Sequence, residues 1–232
     1  NLGFTTNPAL GYIMAPPGIY GTSFQPLNEV DTVLKASIQS AELNRRWALG
    51  PSAQFLTGFR WLQWFETVSI TDTYGAGTAG VGQDIYENSA LNNLWGGQIG
   101  IDTLLLRTRS GFRTEGIVKA GVYANNAGQN AVYRNLLGIG GPEQFANSIR
   151  VREWPASASF VGEVGLTGVI PLDPNWDFRF GYLGLWLTGL AQPTSQLAGQ
   201  NLAPPGDATT GTLNATGRAI VQGVTLGLEG RW

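Results

Sequence analysis

The sequence predicts an all-β chain: an antiparallel transmembrane β-barrel of outer-membrane type, with short periplasmic turns and long extracellular loops. Three observations carry this. Apolar residues recur at every second position in one segment after another, tryptophans gather near segment ends, and short turns alternate with long connections. The last segment shows the first most plainly. Val224, Leu226 and Leu228 alternate with Gly223, Thr225, Gly227 and Glu229, ahead of Arg231 and Trp232. A strand of this kind has one oily face and one wet face.

Taken in order, Val33 to Trp47 and Gln54 to Val68 flank the turn Leu49-Gly50-Pro51-Ser52. Trp95 to Arg107 returns through Arg109-Ser110-Gly111 into Phe112 to Tyr123. Ser157 to Ile170 turns at Pro171-Leu172-Asp173-Pro174-Asn175 into Trp176 to Leu187, and Ala219 to Trp232 comes last. Three long connections are left: Ile70 to Leu94, Ala124 to Pro155 and Leu190 to Gly217. Within the second, Ala131 to Gly138 reads as a short helix and Pro142 to Phe145 as a helix start. So apolar a connection folds into the lumen or packs on a neighbouring protein. The third, polar and Pro-rich, reads as an exposed outer loop. Residues 1–28 form an N-terminal loop or extension with at most one strand, near Leu10 to Tyr20, and residues 29–232 form the barrel domain. The opening Asn1-Leu2-Gly3, with no Met and no charged or apolar leader, reads as a mature or truncated product.

Composition closes other doors. The 232 residues are 43% hydrophobic and 13% charged, too apolar for disorder. A net charge of -2 without a basic cluster argues against nucleic acid. With neither Cys nor His, disulfides, thiolate chemistry, Ser-His-Asp catalysis and histidine-ligated metals are excluded. No enzyme activity, metal or cofactor is expected. Asp72, Asp84 and Glu87 fit no standard calcium-loop spacing and read as solvated acids.

Alternation assigns the faces. Phe55, Phe59, Trp61, Phe65, Ile99, Ile101, Val118, Val122, Phe160, Val164, Leu166, Phe178 and Phe180 fall on the oily side. The wet side collects the lumen-lining candidates: Glu42, Arg60, Glu66, Asp102, Arg113, Glu115, Lys119, Glu163, Arg179, Glu229 and Arg231. A buried Arg or Lys facing lipid costs about 2–4 kcal/mol at the midplane, so the sorting of mid-strand charges to one side favours a bilayer. Acids and bases nearly balance, as expected of cross-strand ion pairs or of a weakly selective channel lining. Leu56, Leu62, Trp64, Leu183 and Leu185 break the pattern. Trp47, Trp61, Trp64, Trp95, Trp176, Trp186 and Trp232 make the candidate aromatic girdle at the two rims.

Ser40-Ala41-Glu42-Leu43-Asn44-Arg45-Arg46, Phe55-Leu56-Thr57-Gly58-Phe59-Arg60-Trp61-Leu62, Asn92-Asn93-Leu94-Trp95-Gly96-Gly97-Gln98-Ile99-Gly100 and Gly111-Phe112-Arg113-Thr114-Glu115-Gly116-Ile117-Val118-Lys119 follow one another in this order. The series resembles the strand motifs of the beta-barrel porin family numbered seven, over about Asp31 to Trp232. The resemblance implies a large outer-membrane barrel with additional N-terminal strands. A single-chain barrel then has eight strands if the N-terminal region supplies one, and about twelve if upstream strands exist. The function implied is a porin-like channel for small solutes or ions. The alternatives are a plugged structural or anchoring barrel that binds envelope proteins through its loops, and a soluble β-sandwich binding module. Membrane lipid is the expected partner, with other envelope proteins or a second copy as further ones.

Overall fold

The computed structural model describes residues 5–7, 11–13, 27–74, 82–137, 139, 141–196, 200–201 and 210–230. The described residues are all-β apart from one helical turn, α1 (Pro193–Gln196). The strands are β1 (Thr5–Asn7), β2 (Gly11–Ile13), β3 (Leu27–Ala48), β4 (Ala53–Tyr74), β5 (Gly82–Arg107), β6 (Arg113–Leu137), β7 (Glu143–Pro171), β8 (Trp176–Leu190), β9 (Gln200–Asn201), β10 (Thr210–Gly211) and β11 (Gly217–Gly230). Seven form one antiparallel meander in the order β11-β8-β7-β6-β5-β4-β3, curled into a half-barrel. β1 pairs only with β2, and β9 with β10.

Curvature follows from what the concave side chains reach. Arg60 on β4 meets Glu163 on β7 at 2.6 Å, and Lys119 on β6 meets Glu42 on β3 at 2.7 Å. Each pair skips two strands, roughly 14 Å of flat sheet, so only a strongly curled wall brings the side chains together. Its inner surface holds a cluster drawn from Leu62, Trp64, Leu94, Tyr123, Val161, Leu185 and Leu187, joined by Ile38 of β3 and Val221 of β11. Of the residues that broke the alternation, Leu56 and Leu62 are fully buried on this inner surface, Leu185 and Trp64 nearly so, and Leu183 is half-buried.

The convex face is apolar within limits that the register defines. Phe55, Ile101, Val118 and Val164 lie in one cross-strand row. Val118 is 55% exposed, Val164 61% and Leu226 73%. The row Trp61, Trp95, Ala124, Ala158 bounds the band at one end, and Ile170, Phe178, Leu228 lie toward the other. Beyond the tryptophan row the next outward positions are Gln63, Asn93 and Asn126, then Phe65, Leu91 and Gly128, then Thr67, Ser89 and Asn130. The aromatic faces therefore point away from the core, which removes the single convergent core that a sandwich requires.

Two connections expected to be long loops are mostly strand. β4 runs on to Tyr74 and β5 begins at Gly82, while β6 runs to Leu137 and β7 begins at Glu143. Ala131 to Leu137, expected to be helical, is a strand with Ala131 and Tyr133 buried inward, and Glu143 to Phe145 is strand as well. Past the tryptophan row polar residues enter both faces of β6, outward at Asn126 and Asn130 and inward at Asn125 and Gln129 among the buried Ala127, Ala131 and Tyr133, so the period-two signal fades while the ladder continues. Three short turns remain as expected, at 49–52, 108–112 and 172–175. Among the described residues, no part of the stretch from Leu10 to Tyr20 joins the main sheet. Gly11–Ile13 belongs to the β1–β2 ladder, and the rest of that stretch lies outside the described residues.

Candidate functional site: the lined and bridged concave wall

All ten lumen candidates within the described residues belong to the inward register, and they gather into separate groups. At mid-wall, Glu163 accepts from Arg60 at 2.6 Å and from Lys119 at 2.9 Å, and Lys119 also donates to Glu42 at 2.7 Å. Gln98, which charge-based reasoning passed over, donates to Glu42 at 2.7 Å and to Asn44 at 2.8 Å, and Tyr123 donates to Gln98 at 3.2 Å. Arg60 Nε donates to Ser40 at 2.8 Å. Charge is compensated throughout, which is what allows these groups to be buried.

Nearer the short turns, Arg179 bridges Glu115 and Glu229, each at 2.6 Å. Arg113 donates to Glu115 at 2.7 Å and to Asp177 at 3.0 Å. Asp177 is fully buried and was not anticipated, since it follows Trp176 immediately after a turn. Arg46 and Asp102 pair at 3.2 Å at the mouth. These groups line a polar cavity of about 510 Å³. Glu66 is buried and accepts from Trp64 Nε1 at 3.3 Å. Arg231 and Trp232 lie outside the described residues.

Of the girdle candidates, Trp61 and Trp95 stand side by side with centroids 5.8 Å apart, and Trp47 packs on Phe55 under the Arg45 guanidinium. Trp95, Trp176 and Trp186 are exposed, Trp186 facing outward four residues, or two outward positions, short of the tryptophan row. Trp64 is a correction. Its even position in β4 turns it into the buried interior, so it belongs to no rim.

The most consequential element was expected to be an exposed loop. At Gly189, φ is +75°, a conformation that favours glycine, and here the chain turns inward from β8. The Gly189 carbonyl accepts from Asn125 Nδ2 at 2.9 Å, Ser157 Oγ at 2.8 Å and Ser159 Oγ at 2.9 Å. Asn92 then grips Ala191 at both backbone groups, accepting from its N–H at 2.7 Å and donating to its carbonyl at 2.8 Å. Asn88 Nδ2 donates to the Pro193 carbonyl at 2.9 Å. Residues 189–193 therefore run across the concave face from β8 to β5, and α1 follows. Leu190, Ala191 and Gln196 are fully buried, with Gln196 bonded to the backbone of Asn214. A side-chain ladder of Asn88, Asn92 and Asn125 replaces the backbone partners this bridge lacks. Isolated asparagines carry little signal in a sequence. Their spacing of four in β5, which keeps one face, was the available clue.

Beyond the tryptophan row, Asp72 and Asp84 oppose each other on adjacent strands. Asp84 accepts from Tyr133 at 2.9 Å and from Asn135 at 2.6 Å. Burial, reinforced by the Asp84 charge, pushes the Asp72 carboxyl up to about 6. These acids are therefore not simply solvated, and Glu87 is separate from them, paired with Arg134 at 2.9 Å.

Fold and lining together define a curled all-β wall, apolar on its convex side, with a salt-bridged and loop-bridged concave side. No family model, curated protein or solved structure matches this chain.

Proposed function

We propose that the chain is the wall of an outer-membrane β-barrel of the beta-barrel porin family numbered seven, acting as a porin-like channel for small solutes or ions with weak selectivity. The observation that carries this is the convex apolar band. Along β6 it extends from Phe112 to Ala124, about 40 Å of strand, or about 30 Å along the axis of a barrel tilted by about 40°. That height matches the hydrocarbon core of a bilayer, about 30 Å. The short turns then lie on the periplasmic side, and β4 to β7 rise beyond the outer surface as polar-faced strands.

Strand direction supports a closed barrel of even number. In the meander β3 and β11 run the same way, and among the described residues no strand pairs with their outer edges. Antiparallel closure therefore takes an odd number of further strands, giving eight with one and twelve with five. The inner face of β11 is open between Val221 and Glu229: a Cβ added at Gly223 or Gly227 would meet nothing within 4 Å. That open stretch is where a water path would run along the inner wall. Balanced ion pairs along it give weak selectivity.

The second reading, a plugged anchoring barrel, is favoured by the inward bridge at 189–193. Single-channel recording in planar bilayers separates the two. Discrete conductance steps are the expected result, and a flat trace from protein that has demonstrably inserted removes the channel.

A further inference from the structure

On the convex face, just past the tryptophan row, β5, β6 and β7 enclose a cleft of about 290 Å³. Arg150 and Arg152 stand along one side of it, on successive outward positions of β7 opposite Asn130 and Gly128. Gly128 makes the room: a Cβ there would meet Arg152 Cγ at 3.1 Å. Both arginines are exposed, and among the described residues neither joins an ion pair, whereas the nearby Arg134 is neutralised by Glu87. Asn93, Asn126 and Ser89 supply amide and hydroxyl groups, and Phe65 and Leu91 form an apolar floor one polar row, Gln63, Asn93 and Asn126, beyond the tryptophans that bound the band.

We propose that this cleft binds the phosphorylated sugar headgroup of a membrane glycolipid. Arg150 and Arg152 take the phosphate as charge-assisted donors, the asparagines take sugar hydroxyls, and the acyl chains cross the narrow row of Gln63, Asn93 and Asn126 from Phe65 and Leu91 to the band. The inference rests on the bilayer reading, because the band places the cleft at headgroup depth on the side away from the short turns. Among the described residues neither arginine has an ion-pair partner, and both stand beside the same cleft. An anion supplied by the leaflet completes them.

The test uses the full protein refolded into phosphatidylcholine vesicles doped with diphosphoryl lipid A, then extracted gently and weighed with its bound lipid by native mass spectrometry. Wild type and R45Q, altered at the opposite rim, are expected to retain lipid A, and R150Q/R152Q to lose about tenfold in retention. Dephosphorylated lipid A should be retained as poorly as by the variant, and inorganic phosphate alone should not compete. Equal retention by wild type and R150Q/R152Q overturns the proposal while leaving the bilayer reading intact. Failure of wild type to float with phosphatidylcholine vesicles overturns both. Competition by free phosphate at matched concentration overturns the lipid assignment in favour of a simple anion site.

Discussion

Arg60 on β4 and Glu163 on β7 meet at 2.6 Å over two intervening strands, each side chain 7% exposed. The contact ties distant parts of the sheet together and fixes how tightly the wall curls. Glu163 also holds Lys119, so E163Q leaves two buried cations short of one carboxylate. That change is expected to lower the unfolding free energy by about 3 kcal/mol, in the range for breaking a buried pair. In R60L/E163L, Lys119 keeps Glu42 and no lone guanidinium remains, so the double variant should lose much less. Urea unfolding of the refolded protein, followed by tryptophan emission, measures both.

The bridge at 189–193 hangs on Asn92 and Asn125. N92A/N125A removes the donor and acceptor that hold Ala191 and one donor to Gly189, and is expected to free the segment from the concave face. Conductance should rise roughly two-fold or more, because a constriction of this kind limits flow. G189A attacks the same bridge through the backbone. A Cβ at Gly189 would lie 2.7 Å from the Ala158 carbonyl oxygen at φ +75°, and a loss of about 1–3 kcal/mol is expected in the same unfolding assay.

Charge placed on the convex face should read out depth. V118R lies mid-band and is expected to reduce stability in vesicles by about 2–4 kcal/mol, while N130R, beyond the tryptophan row, should change it by about 0–1 kcal/mol. Equal effects at the two positions would mean that the band does not face lipid.

Asp72 gives a pH signature outside the band. Its folded pKa, raised to about 6 from 3.8 by burial and by Asp84, means that the native state keeps a proton the unfolded chain has already released. The resulting stabilisation is complete below about pH 4, is lost as pH rises to about 6, and stays lost above it. D72N should flatten that slope and gain on the order of 2 kcal/mol over wild type at pH 7. Unfolding curves at pH 4, 5, 6 and 7 decide it, and a wild type whose stability rises across that window contradicts the assignment.

Much of the wall was legible because a half-buried strand writes its two faces into alternate residues. The seven strands, their three short turns and the inward set from Glu42 to Glu229 follow from that rule alone. It failed where its assumption failed. Past Ala124 polar residues stand on both faces, so Asn125 to Leu137 carries little alternation although it is paired with its neighbours along most of its length. Trp64, Leu62 and Leu185 look like errors against a water-filled interior, whereas they are the packing of a partly filled one. The bridge was hidden because its anchors are Asn, Ser and a single Gly, residues that a loop would also contain. Gly11–Ile13 is paired only locally with Thr5–Asn7, and residues so rich in Gly and Pro gave no pattern to assign.

The claim on which the rest depends is that the outward positions of β6 meet hydrocarbon up to Ala124 and water beyond. Nitroxide labels placed singly at Val118, Ala120, Val122, Asn126 and Asn130 in the vesicle-inserted protein test it through collision with oxygen and with a water-soluble nickel chelate. The first three should favour oxygen and exclude nickel, and the last two should reverse. Free nickel access at Val118 and Val122, equal to that at Asn130, would contradict the bilayer placement and the channel with it.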